Sequence, residues 1–283
     1  MTAGAEPAPR RSPVRRKRPR ARGESGAAST TPDSPSARPK TANRDDATLN
    51  AVRPPPPAGG WASRPKLPGD RGGRGLAVEI YLIRHGQTPN NITGERLYNA
   101  CLTDLGRVQA ERLAATLSAA GLTAVLCSPL LRAMETAAPI ALASRLPLDP
   151  DNDLVEFNRW DPYLGATRAE LAVRFPAARL EGAMPASGWA YAGPEPVVAA
   201  LARVWRVLRR ISALPSGSAV AIVAHGTFNA LLLAAWLGID PFNGVQFAQD
   251  NACINRLTLD ERRVAVRCIN DTRHLYGVAS PPV

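Results

Sequence analysis

The chain has 283 residues, enough for one large domain or two ordinary ones. Its net charge of +11 is unevenly distributed. Residues 1–76 hold 16 basic and 6 acidic residues, a net charge of +10, whereas residues 77–283 hold 19 basic and 18 acidic residues, a net charge of +1. No apolar run reaches transmembrane length and no apolar segment follows the basic N-terminus, so we expect neither a membrane contact nor a secretory signal.

Residues 1–76 are rich in Pro, Ala, Arg, Ser and Gly, and include a proline run at 54–57. Such a composition buries too little apolar surface to offset the entropy lost on ordering, so we predict a disordered basic tail. Two interpretations stay open. The tail makes a weak electrostatic contact with a polyanion such as nucleic acid, or it is a dispensable extension that includes a start codon assigned too far upstream. Composition favours the second.

From Ala77 the sequence alternates between strand and helix patterns. A short apolar run from Val78 ends in Arg84-His85-Gly86, which indicates a buried strand that carries charged groups to its carboxyl edge. A helix that ends by Gly121 is predicted next, with Thr103 or Asp104 as N-cap. A strand is predicted at 123–127, and a helix that begins at Ser128-Pro129, with Ser as N-cap and Pro at the first helical position.

The second half continues this alternation. We predict an irregular stretch at 145–165, a short helix at 168–174, a loop over the site at 176–193, and an amphipathic helix at 196–214. A strand at 219–224, a helix from about 228 to 237, and strands at 252–259 and 263–269 follow. Because the last strand has no helical partner, part of the sheet is expected to be antiparallel.

Two of the three histidines, His85 and His225, each follow a predicted strand and precede glycine. Ligands bind at this edge of open α/β sheets. A neutral imidazole is a competent nucleophile toward phosphorus, and the adjacent Arg84 guanidinium can hold phosphoryl oxygens. Arg132 lies near a predicted helix N-terminus, a position that favours an anion. Each residue alone fits a structural role, but together they predict a cationic pocket for an anionic substrate.

The four cysteines, Cys101, Cys127, Cys253 and Cys268, have neither C-x-x-C nor metal-ligand spacing. We therefore expect reduced thiols in a cytoplasmic protein and no metal site.

Four ordered blocks of sequence resemble the histidine phosphatase superfamily, in its phosphoglycerate mutase-like branch (branch 1). They are LIRHGQT at 82–88 with Asn91 after it, LTDLGRVQA at 102–110, SPLLRAMETA at 128–137 and VAHG at 223–226. The resemblance spans about 78–275 and leaves the basic tail uncovered. It implies a histidine phosphatase domain at 77–283, folded as a three-layer α/β/α sandwich with a mostly parallel central sheet.

The resemblance also implies roles for individual residues. His85 would be the nucleophile that forms phosphohistidine, with Arg84 and Arg132 as phosphate clamps. His225 would be the second histidine of the phosphate pocket, and Asn91 would also reach the phosphate. It implies no metal and no other cofactor.

Glu156 matches the proton donor of the family, which would protonate the leaving alkoxide and then activate water on the phosphoenzyme. The run 157–165 departs from the more acidic, glycine-containing run of many relatives, so Asp161 is kept as the alternative acid. Thr88 and Thr227 are candidate pocket-lining residues, with helix capping or packing as the alternative.

The sequence therefore predicts a metal-independent phosphomonoesterase that acts on a small phosphorylated metabolite through phosphohistidine. Two alternatives remain: phosphotransfer of the phosphoglycerate mutase type, and a non-catalytic domain that binds a phosphorylated ligand and is tethered by the basic tail. Which phosphate ester is used and the oligomeric state are not predicted.

Overall fold

The computed structural model of the chain describes residues 77–94, 97–157, 162–242, 244–260 and 263–278. The predictions of a disordered tail at 1–76 and of Asp161 as the alternative acid lie outside these ranges. The described strands are β1 (Val78–Arg84), β2 (Ala124–Cys127), β3 (Leu148–Pro150), β4 (Tyr163–Leu164), β5 (Ala190–Tyr191), β6 (Ala219–Ala224), β7 (Ile254–Leu259) and β8 (Val264–Asp271). The described helices are α1 (Pro89–Thr93), α2 (Asp104–Leu117), α3 (Leu131–Ser144), α4 (Arg168–Arg174), α5 (Val197–Ser212) and α6 (Gly226–Leu237), with 3₁₀ turns at Asn152–Leu154 and Arg273–Leu275.

The main sheet has six strands in the order β3-β2-β6-β1-β7-β8. β3, β2, β6 and β1 run parallel to one another, whereas β7 pairs antiparallel with β1 and with β8. The sheet is thus mostly parallel with an antiparallel margin, as the sequence predicted. β1 and β6, which carry the two histidines at their carboxyl ends, lie side by side at its centre.

Side chains that alternate along β1 build the cores on the two faces of the sheet. Ile80 and Leu82 pack with α5 and α6 on one face, whereas Tyr81 and Ile83 pack with α2 and α3 on the other. This alternation follows from the period of two in a strand. The described part of the chain is therefore a three-layer α/β/α sandwich, and the predicted fold class is confirmed.

The predicted start of the helix after β2 is wrong by two residues. The helix α3 begins at Leu131, after an extended Leu130 at its N-cap position. Ser128 is not the cap, because its N–H donates to the Val223 carbonyl oxygen at 2.9 Å and so prolongs the pairing between β2 and β6. Pro129 also favours an extended conformation for the residue before it.

The segment 176–193 is only partly the loop that the sequence predicted. Ala178 forms a parallel bridge with Leu148, so the start of the segment lies beside the edge strand β3. The end of the segment forms β5, which pairs with β4 in a separate two-stranded sheet. Whether this segment acts as a substrate lid stays a prediction.

All four cysteines are free thiols, as predicted. None of the helices in the described ranges has both the length and the hydropathy that crossing a bilayer requires.

Candidate active site

The two predicted active-site histidines meet at the carboxyl edge of the sheet. Arg84 pairs with Ala224 in the parallel register of β1 and β6, and the His85 N–H donates to the Ala224 carbonyl oxygen at 3.0 Å. The two strands therefore end level, and the residue after each strand is a histidine. The imidazole rings of His85 and His225 have centroids 5.2 Å apart, and both side chains are buried.

The tautomer of His85 follows from its own backbone. Its Nδ1 lies 2.7 Å from the carbonyl oxygen of Gly86. Because a carbonyl oxygen only accepts, the neutral ring carries its hydrogen on Nδ1 and leaves the Nε2 lone pair free. This is the form that a nucleophilic imidazole requires.

Both imidazoles are held in the neutral state. Burial lowers the pKa of His85 well below its usual value, and the positive charges of Arg132 and Arg84 lower it further. The pKa of His225 is also well below its usual value, because of burial first and then of Arg132 and its other charged neighbours. A buried imidazole next to positively charged guanidinium groups is not readily protonated.

A close backbone contact fixes the turn after β1. A Cβ on Gly86 would lie 2.7 Å from the carbonyl oxygen of Gly106, and a Cβ on Gly106 would lie 2.2 Å from that of Gln87. The Gly86 N–H donates to Thr136 Oγ1 in α3 at 3.0 Å, and the Gln87 N–H donates to the Gln109 Oε1 in α2 at 2.8 Å. The turn that carries His85 is thus clamped onto two helices.

Arg84 is oriented by the loop before β7. Its Nη1 donates to the carbonyl oxygen of Gln249. The Gln249 side chain is held by Asn255, whose Nδ2 donates to Gln249 Oε1 at 2.8 Å and to the Leu82 carbonyl oxygen at 3.0 Å. Burial lowers the Arg84 pKa, and the charge of Glu156 opposes this shift. The guanidinium is therefore held in a fixed orientation, partly buried, next to His85.

Arg132 enters the same pocket from the first turn of α3. Its Nη1 donates to the Tyr98 carbonyl oxygen at 2.9 Å. Asn99 supplies the acceptor that a helix N-terminus needs, because its Oδ1 accepts from the Leu131 N–H at 2.8 Å. Burial lowers the pKa of Arg132, again opposed by Glu156. Glu135, one turn further along α3, forms an ion pair with Arg174.

Glu156 lies at the N-terminus of α6. Its Oε1 accepts from the Phe228 N–H at 3.0 Å and its Oε2 accepts from the Thr227 N–H at 3.3 Å. The first turn of α6 directly follows His225, so these bonds bring Glu156 to the histidines. The charge of the carboxylate opposes the lowering of the pKa of Arg84 and of Arg132 by burial.

The remaining predicted site residues support the pocket through local bonds. The Thr88 N–H and hydroxyl both donate to Asn91 Oδ1 at 2.9 Å, and Asn251 Nδ2 donates to the same oxygen at 3.2 Å. Thr227 contributes its backbone N–H to Glu156. The phosphate contact expected for Asn91, and pocket-lining roles for Thr88 and Thr227, stay predictions.

Sequence reasoning missed several residues that shape the pocket. They are Gln249, Asn251, Tyr191 and Arg203. Gln249 holds Arg84, Asn251 Nδ2 donates to the His85 carbonyl oxygen at 3.2 Å, and Tyr191 Oη donates to the Glu156 carbonyl oxygen at 2.5 Å. Of these four residues, only Arg203 could have been noticed in the sequence, because it is a charged residue beside the apolar stripe of α5.

Buried nitrogen atoms converge near His85 without protein partners. Of the eight buried side-chain atoms in the described residues that make no hydrogen bond, three are Nδ1 and Nε2 of His225 and Nε of Arg84. Buried polar atoms are normally paired, so such a group fits a polar ligand. With two guanidinium groups beside it, the pocket fits an anion with several oxygen acceptors. No group of three or more His, Cys, Asp or Glu in the described ranges is placed to hold a metal ion.

Comparison with known proteins agrees with this chemistry. The sequence model of the histidine phosphatase superfamily (branch 1) matches residues 80–272. A bifunctional protein of Mycobacterium tuberculosis is 35% identical over 190 residues, which cover 65% of this chain and 50% of that protein. The chain thus spans about half the length of that relative.

Two further matches cover nearly the whole of the other protein. Phosphoserine phosphatase 1 of Hydrogenobacter thermophilus is 26% identical over 200 residues, which cover 70% of this chain and 94% of that protein. The solved structure of a mycobacterial glucosyl-3-phosphoglycerate phosphatase is similar with a TM-score of 0.51 and 29% identity, and covers 69% of this chain and 100% of that one.

Proposed function

The chain belongs to the histidine phosphatase superfamily (branch 1), and we propose that it hydrolyses a small phosphorylated metabolite, without a metal, through a phosphohistidine at His85. Phosphatase activity is supported by the family and by the relatives that carry this name. The substrate, the mechanism and the role of each residue are the proposal.

In the first step the Nε2 lone pair of His85 attacks phosphorus, while the bond from phosphorus to the ester oxygen breaks. The Glu156 carboxyl gives its proton to the departing oxygen, and Arg84 and Arg132 hold the phosphoryl oxygens. His225 donates to one of those oxygens. The products of this step are the free alcohol and phosphohistidine.

In the second step water attacks the phosphohistidine. The Glu156 carboxylate takes a proton from that water, and the bond from phosphorus to Nε2 breaks to release inorganic phosphate. One carboxyl group thus serves both half-reactions and returns to its protonated state.

One observation carries the proposal: buried, unpartnered nitrogen atoms of His225 and Arg84 surround a neutral His85 whose Nδ1 hydrogen is held by its own backbone. Buried polar atoms are normally paired within the protein, and here three of them around one histidine are not. This arrangement instead offers a nucleophile and several donors at one point.

The substrate is proposed only by class. The two named phosphatase relatives differ in what their names say they act on, phosphoserine in one and glucosyl-3-phosphoglycerate in the other. What they share is a small phosphomonoester with charged or polar groups beyond the phosphate. We extend that class, and no particular member of it, to this chain.

The test is phosphate release by the full chain from a panel of phosphomonoesters, with a chelator present. We expect release by the wild type and none above background by His85→Ala. Brief reaction with a labelled ester, followed by quenching in base, should leave acid-labile phosphate on the wild type. His85→Ala should carry none, whereas a variant of the third histidine, His274→Ala in the 3₁₀ turn Arg273–Leu275, should keep it.

Other results would select an alternative. Acid-labile phosphate that moves to an added acceptor without release of inorganic phosphate would favour phosphotransfer of the mutase type. Absence of both release and labelling, with retained binding of a phosphorylated ligand, would favour a non-catalytic domain.

A further inference from the structure

We propose that Arg203 positions Glu156 for proton transfer, by holding the backbone that leads into Glu156 and the residue that binds its carboxylate. This inference rests on the proposed role of Glu156 as the proton donor. Arg203 is therefore a positioning residue, which acts through Glu156 without contacting the substrate.

The first part of this arrangement is a bond to the chain directly before Glu156. Arg203 Nη1 donates to the Asp153 carbonyl oxygen at 2.7 Å and to the Val155 carbonyl oxygen at 2.9 Å. These carbonyl groups flank the end of the 3₁₀ turn, and Val155 immediately precedes Glu156. Fixing both carbonyl groups limits how the Glu156 Cα can move.

The second part is a fixed orientation of the guanidinium itself. Arg203 Nε donates to Glu195 Oε1 at 2.7 Å, and Nη2 donates to Glu195 Oε2 at 2.6 Å. This bidentate pair is largely buried, with side-chain exposures of 9% for Arg203 and 15% for Glu195. A planar fork bound on two sides is rigid, and the single charge of a lysine cannot reproduce it.

The third part is a contact on the other side of the Glu156 carboxylate. The Arg203 guanidinium carbon lies 5.1 Å from the centroid of the Phe228 ring, within the range of a cation–π interaction. Phe228 donates its backbone N–H to Glu156 Oε1. One side chain thus contacts both the segment that carries the carboxyl group and the helix turn that binds it.

A purely structural role for Arg203 is the alternative, since buried ion pairs also occur without any function. The same helix provides the comparison. Arg206 and Arg210 also bind this segment, but they bind the carboxylates of Asp153 and Asp151 and their side chains are about half exposed. The 3₁₀ turn is thus attached to α5 without Arg203. Arg203 differs in binding the backbone next to Glu156.

The experiment compares two substrates with different leaving groups. An alkyl phosphomonoester needs a proton on its leaving oxygen, whereas 4-nitrophenyl phosphate releases a stable phenolate that does not. Misplacing the proton donor should therefore slow the first much more than the second. We expect Arg203→Met in the full chain to lower kcat/KM for the alkyl ester about tenfold or more beyond its effect on the aryl ester.

Arg206→Met is the matched control, because Arg206 lies on the same helix and binds the carboxylate of Asp153. It should leave the ratio of the two kcat/KM values unchanged. Arg203→Lys should change the ratio in the same direction as Arg203→Met, by a smaller factor. If Arg203→Met does not fold, as judged by circular dichroism, Arg203→Lys and Glu195→Gln provide the test through the same ratio.

Equal loss on both substrates in the folded Arg203 variants, or an equal change of ratio in Arg206→Met, would overturn the inference. Glu156→Gln separates this failure from failure of the proposed function. If Glu156→Gln shifts the ratio and the Arg203 variants do not, only the positioning role is wrong. If Glu156→Gln does not shift it either, Glu156 is not the proton donor.

Discussion

At the scale of single residues, the site depends on keeping two histidines neutral beside two guanidinium groups. Burial is the larger cause of the lowered pKa of His85, and the charges of Arg132 and Arg84 add to it. A bound phosphate dianion would offset the positive charges of Arg132 and Arg84, and so remove their contribution to the lowered pKa of His85. The pocket is therefore poised to bind an anion before any chemistry occurs.

The lowered pKa of His85 predicts the acid limb of the pH–rate profile. Because the free enzyme keeps Nε2 unprotonated well below pH 6.5, kcat/KM for 4-nitrophenyl phosphate should not fall as pH is lowered through about 6.5. The measurement needs correction for the second ionisation of the substrate itself. An enzyme limb with a midpoint at or above pH 6.5 would contradict the neutral, desolvated histidine.

The same shifts predict how stability depends on pH. The unfolded chain takes up protons on His85 and His225 as pH falls through their usual values, whereas the folded chain does not until much lower pH. This contribution to the free energy of unfolding is thus fully present above about pH 6.5 and is lost as pH falls below it. Urea titrations should show a smaller loss between pH 7 and pH 5 for His225→Gln than for the wild type. An equal loss would mean that His225 is protonated in the folded state.

At the scale of elements, the turn after β1 depends on the close approach of two glycines. Gly106→Ala places a Cβ 2.2 Å from the Gln87 carbonyl oxygen, and backbone must move to relieve the contact. We expect a loss of about 1 to 3 kcal/mol in the free energy of unfolding, as for other overpacked sites. Because the turn carries His85, kcat should fall as well.

The control for this prediction is Gly121→Asn. Nothing lies within 4 Å of the Cβ position of Gly121, and Asn tolerates its φ of +62° better than other residues. Its stability and kcat should stay close to those of the wild type. If Gly106→Ala and the wild type had similar free energies of unfolding, the backbone of the turn would be able to move without loss of stability, which would contradict the prediction.

The start of α3 illustrates which element boundaries a sequence can predict. Thr103 and Asp104 were the two predicted N-caps of α2, and Thr103 is the cap: its side chain accepts from the Gly106 N–H at 3.0 Å. This signal is local, because the cap and its partner are three residues apart. At α3 the local signal at Ser128 failed. The acceptor there is Asn99, which comes from a loop more than one helix away and has no local pattern.

At the scale of the whole molecule, the sequence predicted the layers, the mixed sheet and the residues at strand ends. Those predictions rest on short-range patterns, such as the apolar run before His85. The partners that orient the site were not predictable in this way, because Gln249 contacts Arg84 across 165 residues of chain and Arg203 contacts Val155 across 48. Long-range contacts of backbone carbonyl groups leave no sequence motif.

The basic tail gives a prediction for the full chain. Residues 1–76 hold nearly all of the net charge and precede the matched residues 80–272. Removing them should leave kcat/KM within about twofold and abolish any salt-dependent retention on a polyanion column. If the full chain is not retained near physiological salt, the tail has no polyanion-binding role. Loss of kcat/KM on removal would contradict the predicted domain boundary.

The position of β1 in the sheet has a consequence for how the enzyme is made. β1 is the first described strand to leave the ribosome, yet both of its neighbours, β6 and β7, are encoded far downstream. Until they emerge, its apolar residues and open hydrogen-bonding edges lack their native partners. The nascent chain therefore stays inactive until almost all of it is translated, and in that interval its unpaired apolar strand is prone to aggregate.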